Sequence, residues 1–186
     1  MSAASTLGCL YLGYFSKPAA ERPLYRAVAR SRASRIVEIG IGLGQRSLRL
    51  IEVAQRFSPQ VQYTGIDLFE ARPAIAPGTT LKRAHRLFAA TGARVRLIPG
   101  DPLTALARSA NLLADSDLVV IAADQDRTSV TQAMFYLPRM IHTNSLVFIE
   151  EANATAARTV FRPMLPIEIS RLSEIANRGS RSLRAA

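Results

Sequence analysis

The stretch RIVEIGIGLGQRS, residues 35–47, constrains the fold of this chain most strongly. An apolar run ends at Gly40, glycine recurs at Gly42 and Gly44, and a segment with helical apolar spacing begins directly after them. Glycine permits positive φ and lets a ligand approach the backbone without a Cβ in the way, while the first N–H groups of a following helix are unpaired. The pattern therefore predicts a buried strand, a ligand-binding turn and a helix.

Strand-like and helix-like segments alternate along most of the chain. Helices are predicted near 21–31, 45–57 and 79–91, from 102, and over 128–143 with a bend or break at Pro138. Strands are predicted at 35–40, 61–67, 94–100, 116–124 and 145–151. Each crossover is long enough to be right-handed, so the fold class is α/β, a three-layer, doubly wound, mostly parallel sheet.

The C-terminal part departs from this alternation. RTVFRP and IEISRLSE are two β-leaning segments separated only by Met164 to Pro166, too close for an intervening helix. They are predicted to form a hairpin that joins the sheet edge and supplies its antiparallel end.

Length and hydropathy predict one domain. A chain of 186 residues can bury roughly 70% of its unfolded surface in a single core. We expect that domain over 1–176, with 1–33 as an N-terminal lid or packing segment and 177–186 as a basic disordered tail. No apolar run approaches the ~20 residues of a membrane span, and no Lys or Arg precedes the apolar N-terminal segment. A cytoplasmic location without a membrane partner is therefore expected, and the single cysteine, Cys9, excludes an internal disulfide.

The formal net charge is +10, and Lys17 and Lys82 are the only lysines among the 24 basic residues. Such a balance favours polyanions, because each neutralised phosphate releases counterions. The arginines are spread along the chain, with concentrations at Arg22, Arg26 and Arg30 and in the C-terminal tail. RNA is thus one candidate partner, and a solvated charged surface is the other interpretation.

Two nucleotide-binding motifs do not fit the glycine turn. The dinucleotide fingerprint G-x-G-x-x-G would need glycine where Gln45 stands, and a P-loop would need a following G-K-[ST]. VEIGIGLG instead resembles the first motif of class I S-adenosylmethionine-dependent methyltransferases, E-x-G-x-G-x-G. The order of elements is similar to that family from about 21 to 172, and the resemblance implies a seven-stranded sheet of order 3-2-1-4-5-7-6.

The resemblance implies S-adenosylmethionine as cofactor and assigns its contacts. The backbone of Gly40, Gly42 and Gly44 would approach its methionine part, and Glu38 would orient its amino group directly or through water. Asp67, followed by Leu68, would accept both ribose hydroxyls, and Asp101, followed by Pro102, would meet the adenine amino group. Competing interpretations are a strand-end acid for Glu38, a turn-forming residue for Asp67 and a helix N-cap for Asp101.

The predicted reaction site follows the fourth strand, in VVIAADQD. Catechol-type O-methyltransferases carry an I-D-x-D pattern there whose first acid binds a metal, and Ala122 stands in that place. No metal site is therefore predicted, and Asp124 is the candidate for a catalytic base or an acceptor-orienting group. The leading hypothesis is a methyltransferase with a small-molecule acceptor. The alternatives are a non-catalytic cofactor-binding or interaction module, an RNA methyltransferase and a nicotinamide-dependent oxidoreductase.

Overall fold

A computed structural model describes residues 7–8, 10–153 and 158–184 of the chain, so Cys9 lies outside the described residues. The strands are β1 (Arg35–Ile39), β2 (Gln62–Asp67), β3 (Arg94–Pro99), β4 (Ser116–Ile121), β5 (Ile141–Asn153) and β6 (Arg158–Pro163). The helices are α1 (Arg22–Ser31), α2 (Gln45–Gln55), α3 (Leu81–Ala89), α4 (Pro102–Ser109), α5 (Arg127–Ala133) and α6 (Pro166–Arg184).

The described strands form one sheet of order β3-β2-β1-β4-β5-β6. β1 to β5 run parallel to one another, and β6 pairs antiparallel with β5, for example Glu150 with Phe161. The predicted fold class, a doubly wound and mostly parallel sheet with an antiparallel C-terminal end, is confirmed. The predicted count of seven strands is wrong, because the described sheet has six.

The missing strand is IEISRLSE, which belongs to α6. Ile167 and Ile169 alternate as a strand would, but Ile169, Leu172 and Ala176 also follow helical spacing and pack into the core. Pro166 at the first helical position and Glu168 in the first turn are helix-start signals that favour the second pattern. RTVFRP consequently pairs with β5 instead of with the segment that follows it.

α6 also changes the prediction for the C-terminus. The helix runs to Arg184, so 177–184 are helical where a disordered tail was predicted. The last two residues of that predicted tail lie outside the described residues.

Each face of the sheet has its own hydrophobic core. Ile36 of β1 points to the face covered by α1, α2 and α3, where Leu24, Tyr63 and Phe88 are also buried. Val37 and Ile39 point to the opposite face, which Leu106 and Met134 help to cover. The α5 segment ends at Ala133 and continues as a 3₁₀ turn, Met134–Arg139, that contains Pro138. No helix among the described residues is long and apolar enough to span a membrane.

The two isoleucines of α6 distinguish helix from strand. Ile169 is 5% exposed and Ile167 is 75% exposed, whereas a strand would place both on one face. We expect Ile169→Ala to lower the free energy of unfolding by about 2–4 kcal/mol, measured by urea denaturation. Ile167→Ala, the matched control, should change it by less than about 0.5 kcal/mol. Equal losses in the two variants would contradict the helix.

Candidate functional site

The glycine turn between β1 and α2 has the backbone conformation that its sequence predicts. The φ values of Gly40, Gly42 and Gly44 are +92°, +60° and +83°. A Cβ at Gly40 would lie 2.7 Å from Ala122 Cβ and 2.9 Å from Asp124 Oδ1, so glycine is required there for packing against the end of β4. A Cβ at Gly42 would meet nothing within 4 Å. The middle of the turn therefore faces open space.

That open space is part of a cavity of about 410 Å³ at the carboxyl ends of β1 and β4. The volume lies within the range of small-molecule sites. In a parallel doubly wound sheet, this is where ligands bind, because the strand order reverses between β1 and β4. Its lining combines the turn, Gly40 to Arg46, with residues from five other parts of the chain: Glu21, Pro77, Ala122 to Asp124, Glu150 and Thr159.

Asp67 fixes the glycine turn through hydrogen bonds from the backbone amides of the turn. Its Oδ2 accepts hydrogen bonds from the Ile41 and Gly42 amides, at 2.7 and 3.1 Å, and its Oδ1 accepts one from the Phe69 amide at 3.0 Å. The residue is only 1% exposed. The end of β2 thus fixes two consecutive amides of the glycine turn, and the predicted contact of Asp67 with the ribose stays a prediction.

Arg72 forms an ion pair with Asp67 and donates to both of its carboxylate oxygens. Its Nε donates to Oδ1 and its Nη2 to Oδ2, both at 2.5 Å, while its Nη1 donates to Asp124 Oδ2 at 2.7 Å. Burial raises the pKa of Asp67, but the Arg72 guanidinium and the backbone N–H groups outweigh burial and lower that pKa. Both oxygens predicted to receive ribose hydroxyls are therefore already engaged. Arg72 is not predictable from the sequence, because its partners lie 5 and 52 residues away and give no local signal.

Glu38 is held by side chains of its own chain. It is fully buried and accepts hydrogen bonds from Arg46 Nε, Ser47 Oγ and Tyr63 Oη, each at 2.6 Å. Arg46 Nη2 also donates to the Gly40 carbonyl at 2.6 Å. Burial raises the pKa of Tyr63 well above its ordinary value, and the Glu38 charge raises it further. Glu38 therefore joins β1, β2 and α2 beneath the turn, and its predicted contact with the cofactor stays a prediction.

Asp101 caps α4, as one of its two interpretations predicts. Its Oδ1 accepts from the Thr104 amide at 3.1 Å and from Ser129 Oγ of α5 at 2.7 Å. Pro102 occupies the first turn of α4 and is buried, and Leu68 is half-buried at the end of β2. Among the predicted contacts, Gly40, Gly42, Gly44 and Asp124 line the cavity, whereas the described lining leaves out Glu38, Asp67, Leu68, Asp101 and Pro102.

Asp124 lies at the edge of the cavity, with 41% of its side chain exposed. Its Oδ2 bonds Arg72 and its Oδ1 accepts from Gln125 Nε2 at 2.8 Å, so each oxygen has a partner. Asp126 is directed elsewhere and caps α5 through the Ser129 amide. No three His, Cys, Asp or Glu side chains within 7–8, 10–153 and 158–184 come together in a way that would hold a metal ion.

A second cavity adjoins the first. It has a volume of about 500 Å³ and lies between the ends of β4 and β5 and the helices α5 and α6. Ala122, Ala123 and Glu150 line both cavities, and Met134, Ile149 and Leu172 give the second one an apolar wall. Glu150 accepts from the Ala123 amide at 3.1 Å and from Thr159 Oγ1 at 2.5 Å, which fixes the carboxylate at the junction.

The Asp101 cap predicts a pH-dependent contribution to stability. Burial raises the pKa of Asp101, but hydrogen bonds from Thr104 and Ser129 outweigh burial and lower the pKa to about 2. A carboxyl group with a lowered folded-state pKa stabilises the fold fully above its unfolded pKa, and this contribution is lost as pH falls through the folded value. Solvent screening reduces its size, because the group is partly exposed.

Asn caps helices about as well as Asp, so Asp101→Asn removes the charge and keeps the cap. We expect the free energy of unfolding, measured by urea denaturation near neutral pH, to be on the order of 1 kcal/mol higher for the wild type than for Asp101→Asn. The difference should shrink as pH falls from about 5 towards 2. A difference that is independent of pH would show that the charge of Asp101 plays no part.

Comparison with known proteins supports the fold. No protein-family model and no curated protein matches the chain. Among solved structures, the O-methyltransferase TomG from Streptomyces achromogenes, in complex with SAM, matches 94% of this chain and 78% of its own, with 16% identity and a TM-score of 0.56. MycE in complex with Mg, SAH and mycinamycin VI matches 81% of this chain but only 39% of its own, with 23% identity and a TM-score of 0.51.

A TehB-like SAM-dependent methyltransferase from Corynebacterium glutamicum matches 93% of this chain and 79% of its own, with 17% identity and a TM-score of 0.50. At these identities, the likeness concerns the arrangement of the backbone. The chain therefore has the Rossmann-like fold that is found in class I SAM-dependent methyltransferases.

Proposed function

We propose that the chain is an S-adenosylmethionine-dependent methyltransferase with a small-molecule acceptor. The observation that carries the proposal is the glycine turn, whose middle residue faces the cavity of about 410 Å³ and whose amides are fixed by the carboxylate of Asp67. The fold shared with TomG, MycE and the TehB-like protein supports the same reaction class.

The residues of the glycine turn fit S-adenosylmethionine as they stand. At Asp67, binding of the cofactor requires the Arg72 side chain to move. Gly42 leaves room for the amino-acid part of the cofactor to approach the backbone, and Gly44 leads into the first turn of α2. Asp67 would accept the ribose hydroxyls once Arg72 has moved, because an ionised carboxylate takes several donors. When bound, the cofactor supplies an electrophilic methyl group on a positively charged sulfur.

The adjoining cavity of about 500 Å³ supports a small acceptor. Its apolar wall and the fixed carboxylate of Glu150 at the junction suit a compact molecule with a polar reacting group. Asp124 lies at the edge of the cofactor cavity and would take the acceptor's proton or orient the acceptor. That role requires Arg72 to release Asp124 as well, because Arg72 Nη1 donates to Asp124 Oδ2 at 2.7 Å and thereby occupies that oxygen.

The Arg72 ion pairs also favour a second candidate, a non-catalytic cofactor-binding or interaction module. One arginine engages both the predicted ribose acceptor, Asp67, and the predicted base, Asp124. Conversion of S-adenosylmethionine to S-adenosylhomocysteine, followed in the presence of an extract of small metabolites, distinguishes the two candidates. Conversion that is faster with the protein than without it would exclude the non-catalytic module.

Gly42→Ala tests the cofactor cavity directly. The added methyl group meets no protein atom within 4 Å but occupies the space predicted for the cofactor. Gly92→Ala is the matched control, because Gly92 has φ +70°, also has no atom within 4 Å of the added Cβ, and lies after α3. Both substitutions cost about 1–2 kcal/mol of backbone strain.

By isothermal titration calorimetry, we expect S-adenosylhomocysteine to bind the wild type and Gly92→Ala with equal affinity. Gly42→Ala should bind it at least about tenfold more weakly, which corresponds to about 1.4 kcal/mol. Absence of binding to the wild type, or equal affinity in all three proteins, would refute the proposed cofactor site.

Arg72→Ala tests the rearrangement at Asp67. The variant keeps the three backbone hydrogen bonds of Asp67 and frees its carboxylate for a ligand. We expect it to bind S-adenosylmethionine about tenfold more tightly than the wild type does, because binding no longer requires an ion pair to break. The gain for neutral S-adenosylhomocysteine should be smaller, since two uncompensated carboxylates attract the cationic sulfur.

Arg83→Ala, which removes an exposed arginine from α3, is the charge-matched control for calorimetry. It should leave both affinities unchanged. Weaker binding to Arg72→Ala than to this control would show that Arg72 holds the cofactor and does not compete with it.

A further inference from the structure

A row of polar side chains crosses the sheet far from the glycine turn. The register aligns Arg35 of β1 with Gln62 of β2, and Gln62 with Arg94 of β3. Two residues further along each strand, Val37, Thr64 and Arg96 are aligned in the same way. Because side chains two apart point to the same face, both rows lie on the face that carries Val37 and Ile39.

This part of the face, the open half-face, is only partly covered: Val37 and Thr64 are buried, whereas the positions towards the edge of the sheet are exposed. Further along the strands, Ile39, Ile66 and Ile98 belong to the core that α4 covers with Ala105 and Leu106. At the two polar rows, Gln62, Arg94 and Arg96 are exposed. Parallel sheets are normally buried on both faces by near-continuous apolar strands, so an open polar half-face in a parallel sheet requires an explanation.

The open half-face forms a groove of about 500 Å³. Arg35, Arg94, Arg96 and His85 line it together with the hydroxyl and amide side chains Gln62, Thr64 and Ser116, and its described lining contains no acidic residue. Arg94 and Arg96 have no hydrogen-bond or ion-pair partner for their guanidinium groups among the described residues. Arg35 Nη1 lies 3.8 Å from the exposed Asp115, outside the lining.

Some basic side chains outside the groove are used internally. On α1, Arg22 Nε donates to the Ser16 carbonyl at 2.8 Å, and the guanidinium of Arg26 lies 5.4 Å from the centre of the Tyr14 ring. The predicted basic face of that helix is therefore partly engaged. In contrast to Arg22 and Arg26, the two β3 guanidinium groups of the groove remain available for a ligand.

Protection of a sheet edge explains only part of this arrangement. Charged side chains on an edge strand prevent pairing with another chain, and β3 is an edge strand. That role accounts for Arg94 and Arg96 but not for Arg35, which lies on β1 inside the sheet, nor for the open face between them.

We infer that this groove is a second binding site, which takes a small ligand with two or more closely spaced phosphate groups. Guanidinium groups bind phosphate oxygens in a bidentate manner, and two of them two residues apart on one strand are about 6.6 Å apart at Cα. Gln62 and Thr64 supply neutral hydrogen bonds beside them, whereas the Ser116 hydroxyl already donates to the Leu113 carbonyl at 2.6 Å. Apart from the imidazole of His85, the described lining contains no aromatic side chain on which nucleic-acid bases would stack, which favours a small phosphorylated molecule over RNA.

The test uses inorganic pyrophosphate as the probe in calorimetry with the full chain. We expect the wild type to bind pyrophosphate and the double variant Arg94→Gln/Arg96→Gln to bind it at least about tenfold more weakly. Arg30→Gln/Arg171→Gln is the matched control, because it removes the same charge from exposed positions of α1 and α6 that do not line the groove. All substituted residues are exposed, and thermal unfolding verifies that the variants stay folded.

Two further measurements complete the test. Saturating S-adenosylhomocysteine should leave pyrophosphate binding unchanged, because the glycine turn and the groove are separate; competition would place the probe at the turn and overturn the inference. Binding of poly(U) without binding of pyrophosphate would indicate an RNA surface and overturn it as well. Equally weakened pyrophosphate binding in both double variants would show that net charge, and not the groove, causes the effect. That result would also overturn the inference. The inference does not depend on the proposed methyltransferase activity.

Discussion

The candidate site depends on the hydrogen bonds that the Asp67 carboxylate accepts from the glycine turn. The carboxylate lies at the end of β2, is almost fully buried, and accepts hydrogen bonds from the Ile41 and Gly42 amides of the turn that follows β1. A buried negative charge is tolerated only when it is paired and hydrogen-bonded, and Arg72 supplies the pairing. The positive-φ conformation of the turn, and with it the shape of the cavity, therefore rests on one charge and its partners.

Glu38 repeats this arrangement beneath the turn. Arg46 pairs with it and also binds the Gly40 carbonyl, while Ser47 and Tyr63 take its remaining hydrogen-bonding capacity. Asp67 and Glu38 are thus each satisfied by an arginine of the same chain. The turn is preorganised by these pairs, and a ligand gains access to Asp67 only in exchange for the Arg72 contacts.

The sheet itself is divided along its strands. On the face of α4, α5 and α6, the carboxyl halves of β1 to β3 carry isoleucines and are covered, whereas Gln62, Arg94 and Arg96, in the amino halves of β2 and β3, are exposed. α4 has only eight residues, so its length of about 12 Å covers only part of this face. The glycine turn and the basic groove consequently belong to opposite ends of the same strands.

The sequence by itself determined the alternation of strands and helices, the glycine turn and the direction of β1 to β5, and it gave the Asp101 cap as one of two interpretations. These features depend on neighbouring residues: apolar runs, residues with special backbone preferences and a cap beside a proline. The IEISRLSE segment was mispredicted because its apolar positions satisfy both a period of two and a period of 3.6. The segment forms a helix and not a strand because a helix packs Ile169 and Ala176 into the core.

Only the tertiary structure decided what the acids of the site contact. Arg72 reaches Asp124 across 52 positions of sequence, and Glu38 meets Tyr63 across 25. The two rows of the basic groove likewise come from three strands that only the register aligns. Local patterns specify which residues are able to carry charge, but the partner of a buried charge is chosen by three-dimensional proximity, because its desolvation has to be offset by whichever donors the fold places within hydrogen-bonding distance.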